Sequence, residues 1–129
     1  MQEATAKLNS YRQSPRKVRL VADAVRGKKV ADALTLLSFT PKRSAEPLER
    51  LINSAVANAK DLSLPTENLV IKEIKVDAGS IIYRRRPRSR GMSNPIRKRT
   101  SHVSVTLSEA PITKKPHFAK APRGRQETK

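Results

Sequence analysis

The sequence predicts an α+β fold, and three observations carry that prediction. Three stretches repeat apolar residues at helical spacing, and three others alternate as strands do. Between the last two of those strands runs a basic segment too polar to bury itself. Residues 78–108 contain no Asp or Glu and hold eight Lys/Arg: Arg84, Arg85, Arg86, Arg88, Arg90, Arg97, Lys98 and Arg99.

Residues 2–11 alternate loosely, with Ala4, Ala6 and Leu8 on one face, and predict a strand. Ser14-Pro15 reads as an N-cap followed by proline at the first helical position. Val18, Val21, Ala22 and Val25 follow at i, i+3, i+4, i+7, and Gly27 ends the helix. Arg16, Lys17, Arg19, Asp23 and Arg26 lie mostly off that stripe, so the outer face is basic. Val30, Ala33, Leu34 and Leu37 repeat the spacing in a second helix to about Ser38, which Thr40-Pro41 breaks. Ser44 is placed to cap a third helix over 45–61, with Pro47 in the first turn, where its missing N–H costs little. Its stripe is Leu48, Leu51, Ile52, Ala55 and Ala59, and Ala55, Ala57 and Ala59 predict a close helix–helix approach. Leu64-Pro65 marks a loop.

Residues 69–77 predict a strand with Val70, Ile74 and Val76 on one face. Residues 102–107 alternate cleanly, with Val103, Val105 and Leu107 inward and Ser104 and Thr106 outward. These strands flank the basic run and pair antiparallel at its base, so about 78–101 becomes an extended hairpin. Arms of about 12 residues at ~3.3 Å each would reach roughly 40 Å. A single domain is expected over 1–109. Residues 110–129 hold Pro111, Pro116 and Pro122 and six Lys/Arg, and predict a basic tail disordered in isolation.

The charge narrows the partners. Twenty-eight Lys/Arg against 11 Asp/Glu give a net charge of +17 over 129 residues. Self-repulsion of that size opposes compaction until a polyanion neutralises it. The chain has no cysteine, which excludes disulfides and thiolate metal sites. No apolar stretch approaches the roughly 20 residues that cross a bilayer, and Met1-Gln2-Glu3 does not open a signal peptide. Without Trp, and with Tyr11, Tyr83, Phe39 and Phe118 as the aromatics, the chain lacks the paired aromatics of an RRM-like stacking platform. His102 and His117 are the only histidines, and no HExxH, GxSxG or P-loop spacing occurs. The carboxylates are scattered among Lys and Arg, as in solvated ion pairs rather than acid/base pairs. No enzymatic activity, metal or cofactor is expected.

The candidate binding residues form three groups. Arg84, Arg85, Arg86, Arg88 and Arg90 supply guanidinium forks matched to phosphate, and Pro87 and Gly91 favour an extended arm with a turn. Arg97, Lys98, Arg99, Thr100, Ser101 and His102 lead back into the last strand, where cations and hydroxyls suit phosphate and sugar. His102 also reads simply as a strand residue. Arg12, Ser14, Arg16, Lys17 and Arg19 surround a helix N-terminus, itself favourable for phosphate. RNA is the first expectation. An architectural DNA-binding arm, with Pro87 or Met92 as a wedge, is the alternative, and an enzyme with a basic cleft is a weaker third.

Three segments together resemble one family. Ser14-Pro15-Arg16-Lys17-Val18-Arg19-Leu20-Val21-Ala22-Asp23, with Arg26-Gly27-Lys28, is similar to the opening of the large ribosomal subunit protein twenty-two family. Asn53-Ser54-Ala55-Val56-Ala57-Asn58-Ala59 resembles its long helix, and Lys98-Arg99-Thr100-Ser101-His102-Val103 its return strand. The order and spacing agree over roughly 5–108. The resemblance implies three helices packed on a three-stranded antiparallel sheet and a hairpin running through large-subunit rRNA. It also implies a role in assembly, neighbouring ribosomal proteins as partners, and a ribosome-bound location, cytoplasmic with an organellar ribosome as the alternative. The hairpin tip, here Pro87, Arg88, Ser89, Arg90, Gly91, Met92, Ser93 and Asn94, would line the nascent-peptide exit tunnel. Three features depart from the family pattern: Gly79-Ser80 replaces Gly-Pro, Ile81-Ile82-Tyr83 is more apolar, and Met92-Ser93-Asn94-Pro95 is less basic. Pro95 also removes a ladder donor.

Overall fold

The computed structural model describes residues 3–109; the expected tail over 110–129 lies outside them. The chain runs β1 (Glu3–Tyr11), α1 (Pro15–Val25), α2 (Val30–Phe39), α3 (Ala45–Asp61), a short 3-10 turn (Thr66–Asn68), β2 (Leu69–Pro87), a second turn (Ser89–Gly91) and β3 (Ser93–Glu109). The sheet is antiparallel with order β1-β3-β2, so the last strand in sequence is the central one. The three helices pack on one face of it, giving the expected α+β architecture.

Three cross-strand rows build the floor of the core: Ala4–Leu107–Ile71, Ala6–Val105–Ile74 and Leu8–Val103–Val76. All but Leu8 are buried, and Leu8 packs at the margin. Val18, Val21, Ala22 and Val25 of α1 close the floor from above, with Val30, Ala33 and Leu37 of α2 and Leu48, Leu51, Ile52, Ala55 and Ala59 of α3. Each large side chain fully buried in this way stabilises the fold by about 1.5–3 kcal/mol.

The β2 face differs from the expected Val70–Ile74–Val76. Ile71, not Val70, is the fully buried residue. The cause is a bulge between Ile71 and Glu73, which adds one residue to β2 so that Ile71 and Ile74, three apart, both turn inward. The alanine run also differs. Ala57 is exposed, while Ala55 and Ala59 are buried where α3 lies against both β1 and α2. The close approach is therefore to the sheet as well as to a helix, and the Asn58 amide donates to the Thr5 carbonyl at 2.8 Å across it.

Neither expected serine cap forms through its side chain. Ser14 has the extended backbone of an N-cap, and its carbonyl accepts from the Lys17 and Val18 amides at 3.0 and 3.3 Å, but its hydroxyl makes no cap bond. Ser44 is already helical (φ −81°, ψ −9°), so its Oγ points away from the free amides and is buried without a partner. A backbone turn, Ala45 N–H to the Lys42 carbonyl at 2.9 Å, opens α3 instead.

β2 is an edge strand, and its outer edge along the body is covered. Gly27, at φ +72°, lets the chain turn so that its N–H reaches the Ile71 carbonyl at 3.1 Å, while the Ile71 N–H donates to the Lys28 carbonyl at 3.0 Å. Further along, α1 supplies two guanidinium groups. Arg19 donates through Nε and Nη2 to the Val76 carbonyl at 3.1 and 2.8 Å, and Arg26 donates to the Ile74 carbonyl at 3.1 Å. An exposed edge would otherwise present these carbonyls to any strand that met them.

Beyond the body, β2 and β3 continue as a two-stranded ribbon from Ile81↔Arg99 to Pro87↔Ser93. A second bulge, between Ala78 and Ile81, sets its base. From Ala78 to Pro87 the arm spans about 30 Å at ~3.3 Å per residue, shorter than the expected reach because residues 88–92 fold into a compact turn. In that turn the Arg88 N–H donates to the Met92 carbonyl at 2.8 Å, and Arg90 and Gly91 take φ of 57° and 70°. Pro95 pairs with Arg85 in the two-stranded part, where β3 has no second neighbour whose ladder it could break.

Candidate nucleic-acid interface

The start of α1 and the root of the ribbon meet. Two adjoining grooves of about 540 and 620 Å³ share Ser14, Lys17 and Arg99. Arg16, Arg19, Pro15 and Ala78 complete the first, and Arg12, Gln13, Arg43, Arg97 and Lys98 complete the second. Eight lining residues are cationic, and among the described residues none of the lining side chains is acidic. None of the eight joins an ion pair within the described residues. Their charges sum over one concave surface with no internal counter-ion, and a polyanion backbone satisfies such a surface.

The fold explains how two distant sequence segments converge. Val103, Val105 and Leu107 of β3 face the helices, and β3 runs without a bulge of its own, so Ser101, Arg99 and Arg97 continue on that same side. Proline at the first position of α1 brings the helix start over this strip. Arg43 was not among the sequence candidates. It arrives because the loop before α3 passes the end of β1, where the Tyr11 hydroxyl donates to the Arg43 carbonyl at 3.2 Å. A lone arginine between two helices carries no sequence signal of this placement. The Gln13 Oε1 atom, also in the groove wall, is buried without a hydrogen-bond partner.

Other candidates occupy different positions. Thr100 and Ser101 are 3% and 0% exposed, so their hydroxyls are not presented at the surface. The Thr100 hydroxyl donates to the Ser80 carbonyl at 2.7 Å and fastens the second bulge. His102 accepts the Ser10 N–H at Nδ1 at 3.1 Å. Ser10 has φ 54° where β1 departs from its pairing with β3. His102 thus ties the end of β1 to the centre of the sheet, a structural duty at a strand position. Arg19 is divided: its fork is held by the Val76 carbonyl while its charge remains in the groove wall.

Along the ribbon, Arg84, Arg85, Arg86, Arg88 and Arg90 are exposed. Directly opposed residues share a face. Ile81, Tyr83 and Arg85 therefore lie with Arg99, Arg97 and Pro95 on one face, the face toward the helices, and Ile82, Arg84 and Arg86 lie with Lys98, Ile96 and Asn94 on the other, from which Lys98 borders the second groove at the ribbon's root. Pro87 and Ser93 pair at the end of the ladder, and Arg88, Ser89, Arg90, Gly91 and Met92 form the turn.

Residues 6–108 match the family model described as ribosomal protein L22p/L17e, a span that includes both walls of the groove and the whole ribbon. The chain belongs to the ribosomal protein L22 family. The large ribosomal subunit protein uL22 of Desulfitobacterium hafniense strain DSM 10664 / DCB-2 is 50% identical over 110 residues, covering 84% of this chain and 96% of that protein. Its counterpart in strain Y51 is 49% identical over the same length and coverage. The L22 family is a structural, non-enzymatic component of the ribosome. Among the described residues no helix is long and apolar enough to cross a membrane, and no cluster of His, Asp or Glu could hold a metal ion.

Proposed function

We propose that this chain is an rRNA-binding constituent of the large ribosomal subunit, acting in the cytoplasm on assembled or assembling ribosomes. The observation that supports it most is the acid-free groove of Arg12, Arg16, Lys17, Arg19, Arg43, Arg97, Lys98 and Arg99. The body docks there on the RNA surface through phosphate contacts, which position without reading sequence. The ribbon, with Arg84, Arg85 and Arg86 near its end, continues between RNA segments and neutralises them. By joining segments that lie apart it supports assembly, beside neighbouring ribosomal proteins. The turn at Arg88–Met92, with Pro87, Ser93 and Asn94 at its neck, faces the nascent peptide in the exit tunnel.

The test is sedimentation of a tagged full-length chain in its host. Near-stoichiometric recovery with large subunits, resistant to moderate salt, is expected. Recovery only in the free pool overturns the proposal. Competition in vitro separates RNA from DNA: preference for duplex DNA over large-subunit rRNA would return the architectural DNA reading.

A further inference from the structure

Tyr83 stands out on the ribbon because nothing in the fold accounts for it. It is 57% exposed on a two-stranded segment that has no core to receive it. It is also one of only two tyrosines in a chain without tryptophan. Its setting is specific. Arg97 lies directly opposite on β3, and Arg85 lies two residues along on the same face. Ile81, half-buried, lies two residues the other way and faces Arg99. Arg97 and Arg99 are also lining residues of the basic groove. The aromatic ring therefore stands on the groove side of the ribbon, in the cross-strand pair at the groove mouth, with a guanidinium across from it and another beside it.

That combination has a chemical meaning. A phosphate backbone held by Arg12, Lys17, Arg97 and Arg99 carries bases that must go somewhere. An exposed aromatic next to arginines offers a π-face for one of them, with the guanidinium groups able to stack on it or grip the adjoining phosphates. Paired bases inside a duplex keep their faces against each other, so an unstacked base from a single strand, loop or bulge fits and a regular helix does not. We infer that Tyr83 is a base-stacking site for one unpaired nucleotide of the RNA that enters the groove, with Arg97 and Arg85 as its flanking cations. This rests on the RNA-binding reading and adds to it a ligand class: an extruded nucleobase rather than backbone alone.

The chain's own composition supplies the assay. With no tryptophan, intrinsic emission comes from Tyr11 and Tyr83 alone. Full-length protein is titrated with single-stranded r(A)12, with r(A)12 made abasic at its central positions, and with a 12-base-pair RNA duplex. Stacking predicts that r(A)12 quenches part of the tyrosine emission, and that the abasic strand and the duplex quench much less. Tyr83→Leu should lose that quenching and bind r(A)12 roughly 5- to 150-fold more weakly. Its salt slope should be unchanged, since no phosphate contact is removed. Tyr83→Phe should retain near-native affinity. Tyr83→Leu matching the native chain on r(A)12, or losing as much affinity on the abasic strand, overturns the stacking site while leaving RNA binding intact. A native chain that binds neither strand nor duplex at low salt overturns the RNA reading and this inference together.

Discussion

Gly79 is the position where one added carbon should matter most. A Cβ built there would lie 2.5 Å from the Thr100 hydroxyl oxygen and 2.9 Å from His102 Nε2. Its φ is outside the left-handed region, so alanine meets no backbone penalty and the conflict is steric. To relieve it, Thr100 must leave the Ser80 carbonyl and His102 must move from the Ser10 amide. Losing two such hydrogen bonds costs about 0.5–1.5 kcal/mol each, and overpacking a filled site adds about 1–3 kcal/mol. Against this, Gly→Ala stabilises by about 0.4–1 kcal/mol through a less mobile unfolded chain. Gly79→Ala should therefore destabilise by roughly 1–6 kcal/mol, read as a lower urea midpoint with an unchanged slope. The double variant Gly79→Ala/Thr100→Ala removes the nearer clash and should recover part of the loss, with a coupling of about 1 kcal/mol or more. A neutral Gly79→Ala, or strictly additive effects in the cycle, would refute this account of the bulge.

Further expectations concern other contacts. Leu48→Ala removes a side chain that is 1% exposed in the core and should cost about 2–5 kcal/mol in the same unfolding assay. Arg19→Met should cost about 1.5–3 kcal/mol by freeing the Val76 carbonyl, and Arg19→Lys should recover only part because an ammonium does not reproduce the fork; equal stability of all three forms would contradict it. Arg97→Gln should lower the salt slope of binding to a large-subunit rRNA transcript by about 1, and an unchanged slope would remove Arg97 from the phosphate contacts. The hydrogen bond from Lys72 to Glu3, then their charge attraction, raises the Lys72 pKa above its ordinary 10.5. A raised lysine contributes fully below its unfolded value and loses that contribution as pH rises through the folded one. Glu3→Gln should therefore lower the Lys72 pKa in an NMR titration, with little change in stability near neutrality, because solvent screens the exposed lysine.

The legible parts of the fold were those carried by period. Val18–Val25 and Leu48–Ala59 mark their helices because a buried stripe must recur at 3.6 residues, and Val103–Val105–Leu107 marks its strand by strict alternation. What alternation could not show is an inserted residue: Val70 was read as inward because nothing local announces the bulge at Lys72. The serine caps failed for a similar reason, since residue type names a candidate and only backbone angles decide whether the hydroxyl reaches an amide. Of the candidate site, the charges were visible and their convergence was not. Arg12–Arg19 and Arg97–Arg99 are some 80 positions apart, and it takes the β1-β3-β2 order to bring them to one groove. Thr100 and Ser101 resemble surface hydroxyls in sequence, yet they sit where three strands and a bulge close over them.

The two bulges of β2 have a joint consequence. Counting along the strand, odd-numbered residues face the helices up to Ile71, even-numbered ones from Ile74 to Ala78, and odd-numbered ones again from Ile81 outward. Each inserted residue acts as a half-period phase shift, and the second cancels the first. β3 carries no such shift, so the second bulge alone chooses which half of the ribbon looks toward the groove. Closing the bulge with no residue removed, so that Ser80 rather than Ile81 pairs with Arg99, would leave charge and length untouched. It would also exchange the Tyr83–Arg85 side for the Ile82–Arg84–Arg86 side. The chemistry that the ribbon offers its partner is thus written at its root, in a two-residue irregularity fastened by Thr100, rather than in the arginines that make it conspicuous.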